Sequence, residues 1–124
     1  MILGVGIDNV TISVVDRFLG NPEYTKEIFT VKELELSNKA PNQLDFLAGR
    51  FAAKNAAWKA LNHVTGKTLD KEKIEILRKE DGTPYVSFNA YLKGALEGTS
   101  VKSFVVSITT EGDLATSIVI AQDE

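Results

Sequence analysis

The chain has 124 residues, 44% of them apolar and 25% charged, a net charge of -3 and no cysteine. That length and apolar content allow one domain with an ordinary core over residues 1–124. The slightly acidic balance argues against a general nucleic-acid binder, and the missing cysteines exclude disulfides, thiol catalysis and thiolate metal sites while fitting a reducing compartment. The N-terminus has no basic n-region and no apolar run approaches the ~20 residues of a membrane span, so a soluble, cytoplasmic protein without membrane or nucleic-acid partners is expected.

Ile2 to Ile12 is rich in β-branched residues and reads as a strand. Alternation puts Leu3, Val5 and Ile7 on one face and Gly4, Gly6 and Asp8 on the other, so the second face is nearly bare until it reaches a carboxylate. Another part of the chain is expected to come close there. A dinucleotide fingerprint is excluded for Gly4 and Gly6, since the third glycine and the following helix are both missing. Asp8 is read either as a strand-end residue bonding its own backbone near Asn9 or as a metal ligand.

Val14 to Leu19 reads as a short helix stopped by Gly20, with Asn21-Pro22 as a turn, and Tyr24 to Phe29 as a second short helix. Thr30 and Glu33 have capping-box spacing for a third, Val31 to Ser37, and Pro41 separates it from the next element. That element is a long helix from near Asn42 to Asn62–Gly66. His63, the only histidine, is placed near its C-terminus, which excludes a Ser/His/Asp triad or a multi-histidine zinc site.

Ile74 to Arg78 and Tyr85 to Phe88 read as strands joined through Asp81-Gly82, with Pro84 marking a strand edge. Asn89 to Leu96 is a short helix. Val101 to Ile108 and Leu114 to Ala121 form a hairpin turning at Glu111-Gly112-Asp113, and Val105, Ser107 and Thr109 share one of its faces. This order predicts an α+β domain whose mainly antiparallel sheet packs on one long helix, with short helices around it.

The long helix carries the most information. Phe46 to Leu61, FLAGRFAAKNAAWKAL, is apolar on most sides, as expected of a helix walled in by other elements. On a helical wheel Arg50 and Lys54 are one turn apart, as are Asn55 and Lys59, but the second pair is turned roughly 140° from the first. Gly49, Ala53, Ala56 and Ala60 form a strip of small side chains that would admit another backbone. Read alone, the helix is either an ordinary core helix whose lysines reach out to water or one that presents two polar groups to a ligand.

Taken together, GVGIDNV, FLAGRFAAKNAAWKAL, DGTPY and VVSITTEGD, in this order and in a chain of this length, resemble holo-acyl-carrier-protein synthases, the small 4'-phosphopantetheinyl transferases. The resemblance implies the transferase fold, a homotrimer with sites between subunits, and magnesium-dependent transfer of the phosphopantetheine arm of coenzyme A to a serine of an acyl carrier protein. Asp8 falls on the family's metal-binding aspartate. Arg50, Lys54 and Lys59 fall on basic positions implied to contact the coenzyme's phosphates, and Gly82, Thr83 and Pro84 on a turn implied to lie against the adenine. Asp8 and Lys59 are the expected catalytic residues, and Ser107 and Thr109 lie on a strand implied to contact the coenzyme.

The chain also departs from the family pattern. Asn55 stands where a second metal-binding glutamate is usual, offering a neutral carbonyl oxygen to the magnesium ion. The family's H-x-S-[IT]-[ST]-H strand is here Val105 to Thr110, without either histidine. Val14 replaces an arginine used to hold the acidic carrier protein, with Arg17 three residues on as a substitute if the helix is rotated or shifted. The readings are therefore a working transferase, a catalytically impaired homologue that binds coenzyme A or a carrier without transferring the arm, and a structural subunit whose helix charges only solubilise it.

Overall fold

The computed structural model describes residues Met1–Glu124. In chain order the elements are β1 (Ile2–Thr11), α1 (Ile12–Leu19), α2 (Pro22–Ile28), α3 (Val31–Lys39), α4 (Gln43–Thr65), β2 (Ile76–Arg78), β3 (Pro84–Val86), α5 (Ala90–Ala95), β4 (Ser103–Glu111) and β5 (Leu114–Gln122). The expected α+β architecture is present. β1, β5 and β4 form a three-stranded antiparallel sheet in that order, α4 lies across one face of it, and β2 pairs with β3 in a separate two-stranded ribbon.

Local signals explain where α4 begins and ends. The Asn42 side chain accepts the Asp45 backbone N–H at 3.0 Å, and Gly66 closes the helix in the left-handed conformation at φ 68°, where a Cβ would be strained. Between these caps Leu47, Ala48, Ala52, Ala53, Ala56, Ala57, Ala60 and Leu61 are all buried. Ala53, Ala56, Ala57 and Leu61 join Ile74, Ile76, Val86, Leu92 and Val119 in the main core. Ala48 joins Ile12, Val15 and Ala115 in a smaller one under α1.

The bare face of β1 meets this helix. A Cβ on Gly4 would stand 2.8 Å from the Ala60 carbonyl oxygen, and one on Gly6 would overlap the Ala56 carbonyl. Glycine is therefore required at both positions because backbone touches backbone. Val5 and Ile7 lie on the opposite face and are exposed, beside Ile118 and Ile120 of β5 and Val105 of β4 in the strand register.

Some boundaries differ from the sequence expectation. Asn21-Pro22 opens α2: the Asn21 side chain accepts the Glu23 and Tyr24 N–H groups at 3.1 and 3.4 Å, and Pro22 occupies the first helical position, where a missing N–H costs nothing. The Thr30–Glu33 capping box is complete, and α3 continues to Lys39. β2 starts at Ile76 and not at Ile74, whose carbonyl accepts a hydrogen bond from Lys54. Pro84 is the first residue of β3, opposite Arg78, and the strand ends at Val86 and not at Phe88.

Candidate active site

After Gly4 and Gly6, Asp8 is the next inward-facing residue of β1, and the close approach of β1 to α4 delivers its carboxylate to the helix. Asn55 Nδ2 donates to Asp8 Oδ2 at 3.0 Å, while Lys59 Nζ donates to Asp8 Oδ1 at 2.9 Å and to the Ile7 carbonyl at 3.1 Å. These bonds engage two of the ammonium's three protons and leave the third free on a side chain that is 48% exposed. A cleft of about 510 Å³ opens beside Asn55, walled by Tyr24 and Ile28 of α2, Phe51, Lys71 and Glu72. Sequence reading missed Tyr24, Ile28 and Lys71 as cleft residues, because no local pattern shows that α2 and the segment after α4 meet over Asn55.

A magnesium ion needs hard oxygen donors in octahedral array. Asn55 Oδ1 is buried with no hydrogen-bond partner, next to a carboxylate. A half-turn of the amide would bring that oxygen to Asp8, making a pair of oxygens that suits a cation. One carboxylate and one neutral carbonyl suit a hard cation that draws its remaining oxygens from substrate phosphates and water. No cluster of three or more His, Asp or Glu exists to hold an ion by protein ligands alone. The residues thus fit magnesium as a shared ligand of protein and phosphate.

Lys54 departs from its expected phosphate contact. Its Nζ donates to Glu33 Oε1 at 2.7 Å and to the carbonyls of Glu72 and Ile74 at 2.9 and 2.7 Å, so all three protons are engaged inside the fold. Its side chain is 2% exposed and that of Glu33 is 0%. Glu33 also accepts the Thr30 and Ile76 N–H groups at 2.8 and 2.9 Å. Burial raises the Glu33 carboxyl above its usual range, opposed by the Lys54 charge, and burial lowers the Lys54 ammonium, opposed by Glu33. The pair ties α3, α4 and β2 together.

Arg50 lies elsewhere on the helix. Its guanidinium stacks on Phe46 at 4.2 Å and Nη2 makes a long 3.4 Å bond to the Leu77 carbonyl of β2. Burial pulls it down to about 10, with Glu33 partly offsetting this and Arg78 adding to it. The Gly82-Thr83-Pro84 turn closes the same ribbon, with Pro84 opposite Arg78. Gly82 has φ 93°, and the Asp81 carboxylate accepts the Thr83 N–H at 2.9 Å. Ser107 and Thr109 pair with Ile118 and Thr116 and are exposed on the sheet face directed away from α4. Asp8 pairs with Ser117 on the other face. One chain therefore unites Asp8, Asn55 and Lys59, ties Arg50 to the ribbon that bears the turn, and leaves Ser107 and Thr109 apart.

Val14 and Arg17 are both exposed on α1. Three residues apart on one helix, they are surface neighbours. His63 is exposed in the last turn of α4. No helix of the fold is long and apolar enough to cross a membrane.

Residues 4–119 match the family model of the 4'-phosphopantetheinyl transferase superfamily. The holo-[acyl-carrier-protein] synthase of Shewanella piezotolerans is 37% identical to the chain, over 98% of this chain and 99% of its own. The crystal structure of holo-[acyl-carrier-protein] synthase from Neisseria meningitidis superposes with a TM-score of 0.86 at 27% identity, covering 98% of this chain and 99% of that one. A Chronobacterium ammoniagenes synthase–coenzyme A complex superposes with a TM-score of 0.81 at 26% identity, covering 96% of each chain. The continuous match from β1 to β5, in sequence and in fold, shows that the chain belongs to the holo-acyl-carrier-protein synthase type of the 4'-phosphopantetheinyl transferase superfamily.

Proposed function

We propose that the whole chain is one transferase domain that moves the 4'-phosphopantetheine arm of coenzyme A to a serine of an acyl carrier protein in the cytoplasm. The observation that carries this reading is the Asp8–Asn55–Lys59 cluster, which holds an unengaged ammonium proton on a half-exposed lysine and, in Asn55, a residue that lines the cleft and keeps a buried carbonyl oxygen without a partner. In the reaction the serine oxygen forms a bond to the phosphorus bearing the arm and gives up its proton to water, the bridging P–O bond breaks, and adenosine 3',5'-bisphosphate leaves. Such a transfer needs positioning and charge neutralisation more than covalent help. Asp8 and Asn55 are the residues that would hold magnesium, which when bound offsets phosphate charge. Lys59, fixed by Asp8 and the Ile7 carbonyl, directs its remaining proton toward a phosphate oxygen as charge builds there.

Arg50, Gly82, Thr83 and Pro84 form the second part of the coenzyme site, joined in an assembled homotrimer by Ser107 and Thr109 of a neighbouring copy. The apolar outer sheet face supports this assembly. Val5, Ile7 and Val105 are 51%, 60% and 47% exposed there, an arrangement that marks an interface when it is contiguous. Arg17 serves the carrier. Incubating the protein with coenzyme A, millimolar magnesium and several apo carrier proteins should add the arm's mass to at least one carrier. Failure with every carrier at high enzyme concentration sinks the reading, and sedimentation should show three copies.

A further inference from the structure

Arg50 and Arg78 are two guanidinium groups on one side of the fold with no carboxylate bonded to either. Arg50 is 6% exposed, and its hydrogen bond is the long one to Leu77, the residue before Arg78. Nε of Arg50 and Nε of Arg78 are both buried without a partner. Gathering two cations with unbonded donors away from water is unfavourable unless an anion completes the arrangement. Glu33 is the carboxylate whose charge acts on Arg50, but its oxygens are taken by Lys54, Thr30 and Ile76. Arg78 sits opposite Pro84 in the ribbon, beside the Gly82-Thr83 turn, and is only partly exposed.

We infer that Arg78 binds phosphate alongside Arg50, the two forming a clasp for a terminal phosphate monoester, and that Arg78 thereby sets the preference for a coenzyme carrying that group. A terminal phosphate offers three charged oxygens, which suit two forked donors better than a bridging diphosphate does. This rests on the transferase reading, since coenzyme A carries one such phosphate, on the ribose of the adenosine that the turn is proposed to face.

The test is titration calorimetry of the intact protein, Arg78→Gln and Arg78→Lys with coenzyme A and with dephospho-coenzyme A, which lacks the terminal phosphate. Melting curves check that each variant is folded. The intact protein should bind coenzyme A roughly 10- to 100-fold more tightly than the dephospho form. Arg78→Gln should lose most of that ratio with its dephospho affinity unchanged, and Arg78→Lys, keeping charge but not the fork, should retain part of it. An unchanged ratio in Arg78→Gln overturns the clasp, as do equal affinities in the intact protein, and both leave the transferase reading standing. If the intact protein binds neither coenzyme, that reading fails separately. The clasp is then judged with inorganic phosphate at constant ionic strength: a rise in melting temperature that Arg78→Gln abolishes supports it, and no rise overturns it. Should Arg78→Gln not fold, the same ratio in Arg78→Lys decides, with full retention counting against the clasp.

Discussion

Lys54 and Lys59 stand on the same helix, little more than one turn apart, and serve opposite ends. Lys54 is buried with all three protons bonded to Glu33, Glu72 and Ile74, whereas Lys59 is half exposed with Ile7 and Asp8 holding only two. A closed cluster stabilises the fold, and one left short of partners is available to a ligand. Asn55, directly after Lys54, lines the cleft and is also short of a partner, at an Oδ1 that is buried. The difference teaches that residue type and spacing on α4 do not assign a role; the count of engaged protons does.

Breaking the closed cluster should have the largest effect. Lys54→Met leaves Glu33 charged, buried and short of a partner, and should cost about 3–5 kcal/mol in denaturant unfolding, with a companion Glu33→Leu recovering much of it. A Lys54→Met protein that kept its stability but lost transfer would reverse the comparison. Lys59→Ala is expected to do the converse: transfer falls by roughly 10²–10³-fold in a carrier mass assay, while stability changes by less than about 1 kcal/mol. Gly6→Ala tests the approach of β1 that delivers Asp8. The new Cβ meets the Ala56 carbonyl, so unfolding should show a loss of about 1–3 kcal/mol or more, and activity should fall with it.

The open cluster can be sharpened as well as broken. Asn55→Glu adds a carboxylate beside Asp8 and should tighten magnesium by about tenfold or more, read by titration of the metal, and raise the transfer rate. Unaltered metal binding would mean that Asn55 does not face the ion. The smallest effect is expected at the turn. The Thr83 N–H holds the Asp81 carboxyl below its usual range, so its stabilising contribution is complete above the ordinary carboxylate pKa and is lost as pH falls through the lowered value. Amide exchange at Thr83 should therefore rise only under acidic conditions, and in Asp81→Asn it should lose that pH dependence.

Much of this was legible in the chain because it depends on neighbours in sequence. Period-two alternation placed Gly4, Gly6 and Asp8 on one face of β1, the Thr30–Glu33 spacing marked the start of α3, and helical spacing separated Arg50 and Lys54 from Asn55 and Lys59. Motifs added the family. Tertiary structure alone decided which of those side chains are free, since a lysine's partners on other elements leave no trace in its own segment: Glu33 comes from α3, and the Glu72 and Ile74 carbonyls from the stretch before β2. The same holds for Tyr24 and Lys71 at the cleft and for Arg78 beside Arg50, which are brought together by packing across the fold and not by any period along it.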